Sequence, residues 1–197
     1  AKTDTATNNP ANAKATVGIL MPTKEQTIWS IQGDRLTEAF QKAGYATQIE
    51  YAEDDSAKQA MQIENMITKG VNVMVIAAVD CAALTDACEK AKDAGIYVIA
   101  DDRLITNTKA VDFYVTFDLV RMGELQGQYI VDKLDLENQA GPFTLEIFSG
   151  SQDDTNAISF YEGAMNKLQP YLDSGKLVVK SGQSSYTETA IQSWDSS

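Results

Sequence analysis

The sequence predicts an α/β protein organised on parallel sheets, and three observations carry that prediction. Short apolar runs alternate with segments whose apolar residues recur at three- and four-residue spacing, the period of a helix face. Three of those helical segments stop at a glycine, Gly44, Gly70 and Gly95, just before the next apolar run. After a polar break at residues 106–110 the alternation resumes, which divides the chain into two α/β lobes, 17–111 and 112–197, behind a leader of residues 1–16.

Residues 17–21 form the first strand, because VGILM is apolar and uninterrupted, and the polar loop 22–26 follows it. A helix comes next with Trp29, Leu36, Ala39, Phe40 and Ala43 on one face. The second strand is 46–51, and the helix after it carries Ala60, Ile63, Met66 and Ile67 on one face. Residues 71–77 are apolar enough to be covered on both sides, as an inner strand of a parallel sheet is. Leu84, Ala87, Cys88 and Ala91 mark a third helix, and 96–100 is the fourth strand. Beyond the break, 113–117 reads as a strand, 119–134 as a helix, 143–148 as a strand, 156–168 as a helix and 176–180 as a strand. Right-handed crossovers place the loops after parallel strands along one edge of a sheet. Loops 22–27, 78–82 and 101–106 are therefore expected side by side.

Composition narrows the chemistry. The 197 residues carry a net charge of −12, which argues against nucleic acid, whose phosphates demand basic patches, and against an anionic membrane surface. The absence of histidine removes His-based acid–base chemistry and the Ser–His–Asp triad, and with them most zinc and iron sites. No window of about 18 apolar residues is present, so no transmembrane helix is expected. The leader is rich in Ala, Thr and Asn without period and reads as a disordered polar segment, a tether or an unrelated appendage. Cys81 and Cys88 are too far apart along a continuous helix to bridge, at about 10 Å of rise. They are either a disulfide, with Cys81 in the loop before the helix, or two buried thiols.

The tripeptide Asp101-Asp102-Arg103, at the end of the fourth strand, joins acceptors to a fixed fork of donors. Vicinal sugar hydroxyls need both, and ligands of open α/β sheets bind at the carboxyl ends of the strands. The plainer reading is a surface ion pair. Trp29, at the start of the first helix, offers an aromatic face to a pyranose ring or packs under the sheet. Lys24, in the loop before it, is a hydroxyl partner or a solvated charge. Asp153-Asp154-Thr155-Asn156 opens a helix in the second lobe, where one residue caps and Asp154 and Asn156 supply further polar groups. No nucleotide loop fits, since 21–26 has no glycine and Ser149-Gly150-Ser151 lacks the Gly-Lys-Ser/Thr ending of a phosphate loop.

Taken in order, Trp29, QIENMITKGV (62–71), VIA (75–77), ADDRLI (100–105), TFD (116–118), SGSQDDTNA (149–157) and LQPYLDSGK (168–176) resemble one family. It is that of type I solute-binding proteins of bacterial sugar ABC transporters, in the xylose-binding and multiple-monosaccharide-binding branch. The resemblance implies two Rossmann-like, doubly wound lobes of a type I periplasmic binding protein, closing by hinge motion over one sugar. Because family members are longer, it also implies that the second lobe is incomplete and the chain truncated. Carried over by position, Trp29 stacks on the sugar, Asp102 and Arg103 grip ring hydroxyls and the ring oxygen, Asp154 and Asn156 reach in from the second lobe, and Lys24 assists. Two positions depart from the xylose-binding pattern: Ile28 stands where that pattern has an Arg, and its second aromatic would fall near Ser184, which leaves one stacking face missing. The leader is similar to the tether of an exported Gram-positive lipoprotein, which places the chain outside the cytoplasm or in the periplasm and favours a Cys81–Cys88 disulfide.

The resemblance thus implies capture of a monosaccharide of the xylose, glucose, galactose or arabinose type. The receptor acts as a monomer, passes the sugar to a membrane permease of an ABC transporter, and uses no cofactor, metal, catalysis or nucleic acid. A sugar-sensing effector domain of a transcription regulator is the alternative, and it calls for an N-terminal helix-turn-helix and a basic patch. An enzyme would have to rely on Asp153 and Asp154, adjacent residues that rarely face each other as acid and base must.

Overall fold

The computed structural model describes residues 13–194 and the backbone of Ala6–Asn8. The chain divides into two compact units, the first ending at Val115 and the second starting at Thr116.

The first unit runs β1 (Ala6–Asn8), β2 (Thr16–Met21), α1 (Thr27–Lys42), β3 (Ala46–Tyr51), α2 (Ser56–Thr68), β4 (Val73–Ile76), α3 (Thr85–Asp93), β5 (Tyr97–Asp101) and β6 (Val111–Val115). Its six strands form one sheet in the order β1-β3-β2-β4-β5-β6. Every pair is parallel except β1 with β3, which is antiparallel. Ala6–Asn8 fall within the stretch read as a leader, whose residues 1–5 and 9–12 lie outside the described residues.

The period of two along each strand sorts the core into two layers. Leu20, Met74, Ile76, Val98 and Ala100 join Ile63 and Met66 of α2 and Leu84 and Cys88 beside α3. Ile19, Met21, Val75 and Ala77 point to the other face, where they meet Trp29 and Leu36 of α1, with Ile99 packed against them. The inner strand β4 is therefore apolar at every position, as the run 71–77 foretold. The helices stop where the sequence placed the stops, because Gly44, Gly70 and Gly95 all have positive φ (88°, 72° and 76°), where a Cβ is disfavoured.

One boundary differs from the sequence reading. The strand expected to open the second lobe is β6, and it extends the first sheet alongside β5. The register jumps between Val98 and Ile99, so that Val98 faces Val111 and Ile99 faces Phe113. Asp112, skipped by the pairing, turns its carboxylate to the Val98 amide at 2.9 Å and pairs with Lys92. That carboxylate does the work of the missing ladder bond, and its pKa is held below the ordinary value by Lys92 and the Val98 amide.

The second unit contains α4 (Leu119–Lys133), β7 (Phe143–Leu145), α5 (Thr155–Asp173), β8 (Leu177–Val179), a short α6 (Tyr186–Thr189) and a 3₁₀ turn, Gln192–Trp194. β7 and β8 pair in parallel. Val131, Leu136, Leu168 and Leu177 are its buried centre. α4 and α5 cross at backbone contact: a Cβ on Gly123 would lie 2.2 Å from the Phe160 carbonyl oxygen, and one on Gly163 would lie 2.1 Å from that of Val120. Among the described residues no helix is long and apolar enough to cross a membrane.

Because backbone cannot retreat as a flexible side chain can, Gly123→Ala should separate these helices and destabilise the protein by about 1–3 kcal/mol. Urea denaturation followed by circular dichroism measures it, and an unchanged midpoint would mean the helices have room to move.

Candidate functional site

With its strands parallel, the first unit collects the loops after β2, β3, β4 and β5 on one edge. Arg103, in the loop after β5, is only 8% exposed. Its Nη1 donates to the carbonyls of Ala78 at 3.0 Å and Val79 at 3.2 Å. The guanidinium lies 5.2 Å from the centre of the Trp29 ring, within cation–π range. Trp29 is 5% exposed, belongs to the α1-side core, and donates its indole N–H to Gln26 at 3.2 Å. It is therefore a core residue with Arg103 on its face, and the two candidates picked from the sequence meet.

The carbonyls that hold Arg103 are themselves held. Gln59 of α2, fully buried, donates to the Ala77 carbonyl and accepts the Val79 amide, both at 2.8 Å. A buried amide with both ends satisfied fixes the loop after β4 on either side of Ala78.

Asp102 has φ of +63°, the left-handed region, and the Arg103 amide donates to the Asp101 carbonyl across it at 2.7 Å. An i to i+2 bond around a positive-φ residue is the rarer, strained kind of γ-turn. β6 supports it: the Asp102 amide donates to Val115 at 2.8 Å and the Tyr114 hydroxyl donates to the Asp102 carbonyl at 3.1 Å. The turn sends Asp102 out half-buried while its neighbours Asp101 and Arg103 stay buried.

Lys24 is exposed, with its ammonium 5.0 Å from the centre of the Tyr51 ring. The same edge carries Asp54, which the sequence reading did not single out, and Asp101, which it named in the tripeptide but gave no role of its own. Asp54, in the loop after β3, is pushed up in pKa by partial burial and by Glu25, against the opposing pull of Arg103 and a Thr23 hydrogen bond. Asp101 is 7% exposed and accepts a 2.6 Å bond from Gln32 of α1. Burial and the neighbouring Asp102 push its carboxyl up to about 6, against the Gln32 bond.

In the second unit, Asp154 caps α5 and is buried, taking the Asn156 amide on Oδ1 at 2.8 Å and the Trp194 indole N–H on Oδ2 at 3.0 Å. The capping reading is thus realised, and Asn156, 3% exposed, sits in the first turn beside it. Trp194 fits over Gly150, where any Cβ would come within 2.1 Å of its ring. Ser151 ties the same region together, its Oγ accepting the Ser193 amide at 2.8 Å and its carbonyl the Tyr186 hydroxyl at 3.0 Å. The Gly150–Trp194 pair went unread in the sequence, where the small residues of Ser149-Gly150-Ser151 were its one signal. This unit also has an apolar groove of about 350 Å³ lined by Ile147, Phe148, Phe160, Met165, Leu168 and Trp194, among others, and it lacks charged side chains. A hollow of about 410 Å³ beside Ser151, Gln152 and Asp153 is the more polar one.

The cysteines correct the disulfide expectation. Cys81 and Cys88 are separate, buried thiols. Cys88 faces the α2–α3 core layer from α3, and burial, with Glu89, pushes its thiol up to about 12. Cys81 lies in the preceding turn, where its carbonyl accepts the Thr106 amide at 2.8 Å. Among the described residues no cluster of potential metal ligands occurs.

A family model described as a periplasmic binding protein domain matches residues 17–196. The multiple sugar-binding periplasmic receptor ChvE of Rhizobium radiobacter is 52% identical over 182 residues, 92% of this chain and 51% of that receptor. The D-xylose-binding periplasmic protein of Escherichia coli is 35% identical over 90% of this chain and 52% of its own length. An ABC transporter solute-binding protein from Clostridium phytofermentans, solved with bound β-D-glucose, matches with a TM-score of 0.89 and 46% identity, over 91% of this chain and 55% of that one. The chain spans about half the length of the curated relatives it matches.

Replacing Gln59 with Leu keeps the volume but orphans the Ala77 carbonyl and the Val79 amide, so it should cost about 1–3 kcal/mol per group left unmet. Chemical denaturation reads the loss, and stability equal to the parent would show that the loop after β4 needs no such support. Iodoacetamide at pH 8 should leave Cys88 unmodified in the folded protein and alkylate it in urea, because little thiolate forms in the fold. Peptide mass spectrometry decides, and rapid labelling of native Cys88 would contradict its burial.

Proposed function

This chain belongs to the family of periplasmic binding protein domains, and from that premise we propose that it captures a monosaccharide outside the cytoplasm for import by an ABC transporter. One observation carries the reading within the first unit. At the carboxyl edge of its parallel sheet, a guanidinium pinned by two backbone carbonyls and stacked on Trp29 adjoins Asp102 in a strained turn. Strain of this kind gathers at ligand sites, where surrounding bonds hold it. The relatives support the class of ligand, being sugar receptors by name or holding D-glucose.

In this reading Arg103 donates to, and Asp102 accepts from, hydroxyls of the same sugar. Trp29 backs the guanidinium and offers its remaining edge to the ring, and Lys24 is a further donor. Asp154 and Asn156 are proposed as hydroxyl partners from the second unit. The role is capture without chemistry, by a monomer that hands the sugar to a membrane permease. A ligand that binds one conformation better shifts the population toward it, which is all a receptor of this kind requires.

Titrating the full-length protein with D-xylose, D-glucose, D-galactose and L-arabinose, by calorimetry and by tryptophan fluorescence, tests the reading. Saturable heat with at least one of them is expected, together with loss of binding in Arg103→Ala. Absence of heat and of fluorescence change with all four would overturn it.

A further inference from the structure

Asp101 is out of place by pattern. Along β5 the side chains of Ile99 and Asp101 share a face, and Ile99 packs into the apolar layer under α1 that includes Trp29. A residue two positions on would be apolar if packing alone decided it. A carboxylate stands there instead, 7% exposed, and it is met by Gln32, half-buried on α1, at 2.6 Å. The same helix carries Trp29 near its start, and the same turn carries Asp102 and Arg103.

We propose that Asp101 is a positioning residue: through its bond to Gln32 it fastens the end of β5 to α1, and so sets the turn that presents Asp102 and Arg103 over Trp29. The proposal rests on the sugar-binding reading above for its consequence, and on geometry for its existence. Three fastenings hold the turn from three directions. Ala78 and Val79 hold Arg103, β6 holds the backbone of Asp102, and Gln32 holds Asp101. The last ties the turn directly to α1 by a hydrogen bond between side chains.

The surroundings also make this fastening sensitive to pH. From α1 Asp101 meets the neutral Gln32, across the sheet it pairs in register with the apolar Val115, and along the chain it meets the charge of Asp102. Burial is the main cause, and the Asp102 charge the second, of a carboxyl that titrates near 6 instead of 3.8. The folded state therefore holds this proton more tightly than the unfolded chain does. Stability from this group is fully present below about 4 and falls as pH rises to about 6, with no further change above.

The test uses the full chain with Asp101→Asn, Asp101→Ala and Gln32→Leu. Affinity for D-glucose and D-xylose is read by calorimetry at pH 7.5, and the Trp29 indole N–H resonance is followed from pH 4.5 to 8 without sugar. Asn still accepts from Gln32, so Asp101→Asn should bind within about threefold of the parent, whereas Asp101→Ala and Gln32→Leu should each bind about tenfold more weakly. Their double variant should be no weaker than either alone, because one bond is removed twice. The Trp29 resonance should shift with a midpoint near 6 in the parent and stay still in Asp101→Asn. Parent-like affinity in both Asp101→Ala and Gln32→Leu would overturn the proposal, and a Trp29 resonance that does not respond to pH in the parent would overturn its pH dependence. Should Asp101→Ala fail to fold, Gln32→Leu, on the half-buried helix face, carries the comparison. If the parent binds no sugar, the function proposed above fails, and displacement of the Trp29 resonance in Gln32→Leu and Asp101→Ala relative to the parent decides whether the fastening exists.

Discussion

The first unit is arranged around a buried cation. Taking a guanidinium out of water is strongly unfavourable unless its hydrogens find acceptors, and the penalty rises as the surroundings become apolar. At Nη1, Arg103 meets that requirement with two backbone carbonyls, which are dipoles that carry no titratable charge. To supply them, the loop after β4 must point two successive carbonyls the same way, and Gln59 reaches across from α2 to hold it so. To bring Arg103 back over the sheet edge, β5 must end in a positive-φ turn at Asp102. To cover the cation's plane, α1 must start with Trp29 at that height. Elements on both faces of the sheet thus answer to one side chain.

The parallel layout was legible because it depends on local signals. Glycine stops, strand-length apolar runs and helix-period faces placed most elements within a few residues of where they are, as with β3, read at 46–51 and found at Ala46–Tyr51. The allegiance of β6 was not legible. Alternation along a strand reports which face is covered and says nothing about which neighbour it pairs with, so a strand after a polar break looked like a new beginning. It pairs with β5 across a register jump that the Asp112 carboxylate bridges by answering an amide, and no residue pattern announces such a jump.

The site divides in the same way. Asp102, Arg103 and Trp29 stood out because donors, acceptors and an aromatic at strand ends are a recognisable set. Their supports did not, since Gln59 and Gln32 look in sequence like any polar helix residue. Gln59 is 0% exposed, and its two bonds reach residues 18 and 20 positions away. Gln32 acts on a residue 69 positions away. Asp101 was hidden by its neighbour, because a carboxylate at a strand end reads as part of the loop until the period of Ile99 is extended by one more step. The disulfide expectation failed for a related reason. It followed from the compartment the resemblance implied, whereas burial of Cys88 in the layer between α2 and α3 is a matter of packing.

Two bonds hold the Asp154 carboxylate, the Asn156 amide on one oxygen and the Trp194 indole on the other. What these bonds remove is freedom of rotation. A side chain already held in one rotamer loses little entropy when a ligand arrives, and preorganisation of that kind raises affinity without adding a contact. The same holds for Arg103 between its carbonyls and Trp29. Arg103 and Asp154 are thus held before any ligand comes, so their contribution to specificity falls to the direction in which each held N–H or oxygen points. A change that leaves every ligand group in place but loosens its support, as at Gln59 or Gln32, should therefore weaken binding through entropy and blur the distinction between sugars that differ at one hydroxyl.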